Sequence, residues 1–142
     1  MYLFTNLVPG TYKVTFSNLP AGYVFTTQDV TANGFDAIDS DANTGTGMTG
    51  NYTLVSGSDN RTVDAGAYLP AKLGDFVWND LNANGKQDSG EPGIDGVTAT
   101  LTGTDGLGNA VTLTQITSGS GGYLFSNLVP GIYKPASTVS WF

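Results

Sequence analysis

Apolar and polar positions alternate along this chain in short runs, and no run lasts long enough to favour a helix. The stretch VTATLTG at 97–103 puts Val97, Ala99 and Leu101 on one side of an extended backbone and Thr98, Thr100 and Thr102 on the other. TYKVTF at 11–16 aligns Tyr12, Val14 and Phe16, and RTVDAGAYL at 61–69 aligns Val63, Ala65, Ala67 and Leu69. This period of two arises because successive strand side chains point to opposite faces, and β-branched and aromatic residues suit a half-buried pleated surface. Asn-Gly, Asp-Gly and Pro-Gly pairs punctuate the runs and supply the backbone freedom that tight turns need. With 20 glycines and six prolines, a long helix has no place to form. The pattern predicts an all-β chain, an antiparallel β-sandwich of about seven short strands.

The chain also nearly repeats itself. YLFTNLVPGTYK at 2–13 returns as YLFSNLVPGIYK at 123–134, with ten of the twelve positions identical and an offset of 121 residues. Such self-similarity points to tandem units. Residues 1–70 then read as the C-terminal part of one unit and 71–142 as the N-terminal part of the next, joined at the Pro-containing stretch YLPAKLGD. After Lys134 the copies diverge: PASTVSWF replaces VTFSNLPAGY, and Pro135 stands where Val14 does. Because proline removes a ladder donor, the strand is expected to stop there and leave 135–142 as a divergent tail. Half a sandwich exposes apolar faces and open strand edges. Three arrangements are open: closure of one chain on itself as a circular permutant, head-to-tail complementation between copies into a filament, or an excerpt of a longer array. Trp141 and Phe142 form an apolar pair suited to plugging a groove on a neighbour.

Charge narrows the choice of partner. The net charge is −7 with five basic residues, too few to neutralise nucleic-acid phosphates, and this balance suits a protein that meets cations. The chain has neither histidine nor cysteine, so it lacks the commonest general base and the readiest nucleophile, and no enzyme is expected. No apolar run approaches the roughly 20 residues of a membrane span, and the first residues do not read as a signal peptide. An export address, if the protein has one, is expected outside this segment.

One loop carries chemistry. DLNANGKQDSGE at 80–91 follows the calcium-loop pattern D-x-[DN]-x-[DN]-G-x5-E. Asp80, Asn82, Asn84, the Lys86 carbonyl, Asp88 and Glu91 fall at the six ligand positions, with Gly85 where the backbone turns. Glu91 is the only glutamate beside eleven aspartates. Its longer side chain reaches an ion with both oxygens, and a hard divalent cation relieves the repulsion among Asp80, Asp88 and Glu91. The flanks alternate like strands, so a bound Ca2+ would clamp a loop between two strands and couple binding to folding. A second acidic cluster, Asp36, Asp39 and Asp41, is either a further cation site completed by Asn79 or Asp75, or a polar surface loop.

With these motifs in hand, the chain resembles the B-type repeats of serine-aspartate-repeat surface proteins, which are related to the B repeats of collagen adhesins. LGDFVWNDLNANGKQDSGEPGIDGVTATL, GGYLFSNLVPGIY, DAIDSDANTGTG and RTVDAGAY carry the likeness, in permuted order over nearly the whole chain. The resemblance implies an immunoglobulin-like or prealbumin-like sandwich, calcium at the 80–91 positions and, less directly, at Asp39 and Asp41. It also implies an extracellular place, on a bacterial surface or secreted. The expected role is a calcium-stabilised structural module whose partners are copies of itself or neighbouring repeats. The alternative is a rigid spacer or a ligand-binding module of an adhesin, with no ligand named by the sequence.

Overall fold

The computed structural model describes residues 1–29 and 38–137; Asp36 and the pair Trp141 and Phe142 lie outside them. The described residues contain strands and turns and no helix, hence no helix able to cross a membrane. Among the described residues nine strands form: β1 (Gly10–Tyr12), β2 (Val24–Phe25), β3 (Tyr52–Leu54), β4 (Ala67–Tyr68), β5 (Ala71–Phe76), β6 (Thr98–Asp105), β7 (Ala110–Ile116), β8 (Gly122–Leu128) and β9 (Gly131–Ser137). All pairings among these nine strands are antiparallel, as in the β-sandwich that the alternation predicts. The chain divides into two compact units, residues 1–69 and 70–142.

The second unit is a two-layer sandwich. One sheet pairs β5 with β8, and the other has the order β7-β6-β9. Ala99 and Leu101 of β6 meet Phe125 and Leu128 of β8 in the core, with Ala71, Leu73, Tyr123 and Tyr133 packed against them. The alternation in VTATLTG is therefore realised as read, with the apolar side turned inward. Thr117 is a polar residue in this interior: its hydroxyl accepts from the Val97 amide at 2.9 Å and donates to the Ile94 carbonyl at 2.7 Å. Thr117→Val keeps the shape and orphans both backbone groups, so it is expected to cost about 1–3 kcal/mol, with Thr117→Ser near neutral by denaturant titration.

Strand β9 corrects an expectation. It runs through Pro135 to Ser137 and stays in register on β6, with Leu101 opposite Pro135 and Ala99 opposite Ser137. The Pro130 carbonyl accepts from the Gly106 amide, which fixes the even-numbered residues of β9 as those bonding toward β6. Pro135 is odd, so its missing N–H falls on the edge of β9 that has no strand partner among the described residues, and the ladder to β6 loses nothing.

The first unit holds two two-stranded sheets, β1–β3 and β2–β4. The predicted strand over 61–69 shortens to β4, because only Val24 and Phe25 of β2 pair with it. Its buried residues include Ser40, Asp41 and Thr49, and hydrogen bonds knit them to the surrounding backbone. The Thr49 hydroxyl accepts from the Val14 amide, and the Ser40 hydroxyl accepts from the Gly66 amide.

The repeated segment shows what local sequence fixes. In both copies the asparagine of the NLVPG turn is left-handed, Asn6 at φ 60° and Asn127 at 57°. Both copies turn a tyrosine hydroxyl back onto a carbonyl four residues earlier, Tyr12 to Val8 and Tyr133 to Val129. Both set a tyrosine edge-on to a phenylalanine, Tyr2 to Phe4 at 5.7 Å and Tyr123 to Phe125 at 5.9 Å. Burial differs sharply: Phe125 is 2% exposed and Phe4 62%, Leu128 is 4% exposed and Leu7 42%. Residues 2–7 belong to no strand, while their counterparts in β8 pair with β5.

Candidate metal centre

The 80–91 loop leaves the sandwich from the end of β5 and returns ahead of β6, closed at its base by a short antiparallel ladder. The Asn79 amide donates to the Pro92 carbonyl at 2.8 Å, Trp78 bridges Gly93, and the Ile94 amide donates to the Val77 carbonyl at 2.8 Å. Two glycines make this base possible by letting backbones touch. A Cβ on Gly93 would lie 1.6 Å from the Ser120 carbonyl oxygen, and one on Gly121 would lie 2.2 Å from the Val77 carbonyl oxygen. Gly85, at the turn of the loop, has φ +74° and open space around it, so conformation and not crowding requires glycine there.

Within the loop the side-chain oxygens fold the backbone around themselves. The Asp80 carboxylate accepts from the amides of Asn84 at 3.2 Å and Gly85 at 2.8 Å. The Asn82 Oδ1 accepts from the Asn84 amide at 3.0 Å, and the Asn84 Oδ1 accepts from the Lys86 amide at 2.7 Å. Both asparagine side chains then donate to Asp88 Oδ2, at 2.9 Å from Asn82 and 2.7 Å from Asn84. Glu91 closes the ring: its Oε1 accepts from the Leu81 amide at 3.0 Å and its Oε2 from the Asp88 amide at 2.9 Å. Hydrogen bonds thus link five of the six predicted ligand residues through their side chains and Lys86 through its backbone.

The donors around Asp88 lower its pKa below the ordinary carboxylate value, first through Asn82 and then through Asn84. A depressed folded-state pKa contributes stability above the unfolded value, and that contribution is lost as pH falls through the folded one. The residues fit a hard cation chemically: three carboxylates, two amide carbonyls and a backbone carbonyl offer oxygen alone. Among the described residues, no three acidic side chains meet as a cluster by themselves. The two asparagines complete the ring between the acids.

The second predicted cluster lies differently. Asp41 is 2% exposed, and its carboxylate accepts from the Tyr52 hydroxyl at 2.8 Å and the Asp64 amide at 2.6 Å. Its backbone amide donates to the Asp64 carbonyl, so this residue cross-links its unit. The Tyr2 hydroxyl donates to the Val63 carbonyl nearby, and burial first, then Asp41 and Asp64, raises its pKa. Asp39 adjoins this network in sequence, and Asp36 lies outside the described residues. Asp75 and Asn79 belong to the second unit, Asp75 opposite Tyr123 in the β5–β8 ladder.

Sequence reasoning missed the base of the loop. Beside it lies a cavity of about 330 Å3, lined by Phe76, Trp78, Asp80, Tyr123 and Pro135 among others, with the Trp78 indole N–H buried and unpartnered among the described residues. Asp95 also escaped notice, though its carboxylate accepts from the Gly121 amide at 2.6 Å and ties the 118–122 turn to the loop. The GID pattern at 93–95 is too common to have marked it.

Comparison with known proteins shows the family to which the chain belongs. The SdrD B-like domain family matches residues 1–67 and again 71–140. Serine-aspartate repeat-containing protein C of Staphylococcus aureus strain Newman is 47% identical over 135 residues, and that of strain N315 is 46% identical over the same length. The alignment covers 94% of this chain and 13% of each relative, so the chain spans a small part of the proteins it matches. No solved structure matches.

Proposed function

The chain belongs to the SdrD B-like domain family, and from that premise we propose that it is a calcium-stabilised structural module of a bacterial cell-surface or secreted assembly, joined head-to-tail to neighbouring repeats. The observation that carries this reading is the ring of oxygen donors from Asp80 to Glu91, hung on a two-strand base beside the sandwich core. Bound Ca2+ would supply positive charge at the centre of that ring. Asp80, Asp88 and Glu91 would hold it with their carboxylates, Asn82 and Asn84 with their amide oxygens, and Lys86 with its carbonyl. The amide hydrogens now spent on Asp88 would turn away.

Because no helix flanks the loop, there is no helix pair for the ion to open. Its work is mechanical, fixing the path from β5 to β6. Calcium at 100 times its dissociation constant would add about 2.7 kcal/mol. The match to a repeat-containing relative and the two successive family matches support neighbouring modules as partners. The absence of histidine and cysteine supports a structural role over catalysis.

Glu91→Gln tests the reading. It removes the charge and leaves one oxygen for the Leu81 or Asp88 amide, so the melting temperature in chelator should change little. The rise that calcium gives the natural protein should largely vanish. An equal calcium-induced rise in natural protein and variant would overturn the assignment.

A further inference from the structure

We propose that the edge of β1 left unpaired among the described residues is a docking strand for β6 of a second copy of this chain, displacing that copy's β9. The inference rests on the tandem-module reading above and names the strand and register through which two modules would join. Its starting point is that one strand sequence occurs twice and is paired on opposite edges. In the second unit β9 bonds to β6 through its even-numbered residues, with Ile132 opposite Thr104 and Lys134 opposite Thr102. In the first unit the Val14 carbonyl accepts from the Thr49 amide, and Gly10 and Tyr12 share its parity. The counterpart of Val14 is Pro135, an odd residue of β9 on the edge away from β6. So β1 spends on β3 the edge that β9 leaves free, and leaves free the edge that β9 spends on β6. Superposed, the two copies describe one sheet in the order β7-β6-β1-β3.

Three further observations favour exchange over simple edge addition. First, Pro135 lacks the N–H that Val14 donates to Thr49, so β9 cannot recruit a β3 strand as β1 does. Second, residues 2–13 already hold the turn and tyrosine bond of the seated copy, which lowers the ordering cost of docking. Third, Gly131 has a steric reason to be glycine, since a Cβ there would lie 2.4 Å from the Thr104 carbonyl oxygen of β6. A Cβ on its counterpart Gly10 would meet only the ring of Tyr12, at 3.6 Å or more. The glycine at position 10 acquires that reason when a β6 strand lies beside it. Only Leu69 and Pro70 separate β4 from β5, about 10 Å of extended chain, so a chain giving its own β6 to its own β1 would have to close around that short link, a constraint that a second copy does not meet.

The chain has no cysteine, so paired cysteines read the register directly. Lys13→Cys with Thr102→Cys in one chain should give an intermolecular disulfide ladder in multiples of 14.7 kDa when the protein is concentrated. Its yield should exceed that of Thr102→Cys alone about tenfold, because register holds the thiols at high effective concentration. Thr102→Cys with Lys134→Cys should lock β9 in place and leave only monomers. Gly10→Ala should leave the monomer's melting temperature unchanged and abolish the ladder in the Lys13→Cys, Thr102→Cys background. A disulfide that closes within one chain, or a yield no higher than the single variant, would overturn the proposal. The locked monomer also separates the two readings. If the Lys13→Cys, Thr102→Cys chain gives no ladder while the locked monomer keeps its calcium-induced rise in melting temperature, exchange alone is refuted and the calcium module stands.

Discussion

Phe125→Ala is expected to destabilise the second unit by about 3–5 kcal/mol, while Phe4→Ala changes the stability of the dilute chain by less than about 0.5 kcal/mol. The two residues occupy equivalent places in a segment that is nearly identical in both copies, with the same backbone turn and the same tyrosine beside each ring. What separates them is cover. Phe125 lies between Ala99 and Leu101 of β6 and the strand pair β5–β8, and removing its ring leaves a cavity in a core of few residues. Phe4 is mostly in water, so its truncation removes little buried surface. The expected loss for Phe125 is a large part of the 5–15 kcal/mol typical of a whole domain. Denaturant titration of both variants at low concentration would measure the contrast, and equal losses would show that residues 2–7 are covered in the isolated chain.

Gly93→Ala is the second large effect. Its Cβ would lie 1.6 Å from the Ser120 carbonyl oxygen and 2.8 Å from Phe76, and the nearer obstacle is backbone that cannot rotate away. Ser120 is itself held at φ 74°, a conformation with little freedom to give. The loop base must open, breaking the Trp78–Gly93 bridge and the hydrogen bond from Ile94 to Val77. Overpacking of this kind costs about 1–3 kcal/mol. Here it should also weaken calcium binding, because Asp80 and Glu91 stand immediately outside that base. Thermal melting with and without calcium would show both effects. Gly85→Ala is the useful contrast: it meets no atom and strains only a positive φ, so its cost should be smaller.

Much of this was legible in the chain as written. The alternation in VTATLTG gave a strand with its apolar face inward, and the spacing from Asp80 to Glu91 named the residues that the structure gathers into one hydrogen-bonded ring. Short-range chemistry explains why: a loop of Asp, Asn and Gly bonds to its own backbone within a few residues, whatever the rest of the fold does. The 61–69 run read as a longer strand than forms, since alternation declares which face is apolar but not how many partner residues will pair. Pro135 read as a strand end because sequence gives the missing N–H and not the edge it faces. Asp41 read as a candidate ligand, and its engagement by Tyr52 and Asp64 depends on contacts 11 and 23 residues away.

The sequence by itself determined the conformations that a dozen neighbouring residues can enforce: the left-handed asparagines of both NLVPG turns, the tyrosine bonds that follow them, and the oxygen-lined loop. Only the tertiary structure decided which of two nearly identical segments becomes a buried strand, which edge of each is bonded, and where glycine is sterically required. The reason is the range of the forces. Torsional preference and local hydrogen bonding act within a few residues, whereas burial and strand pairing need a partner that the chain must bring from far away.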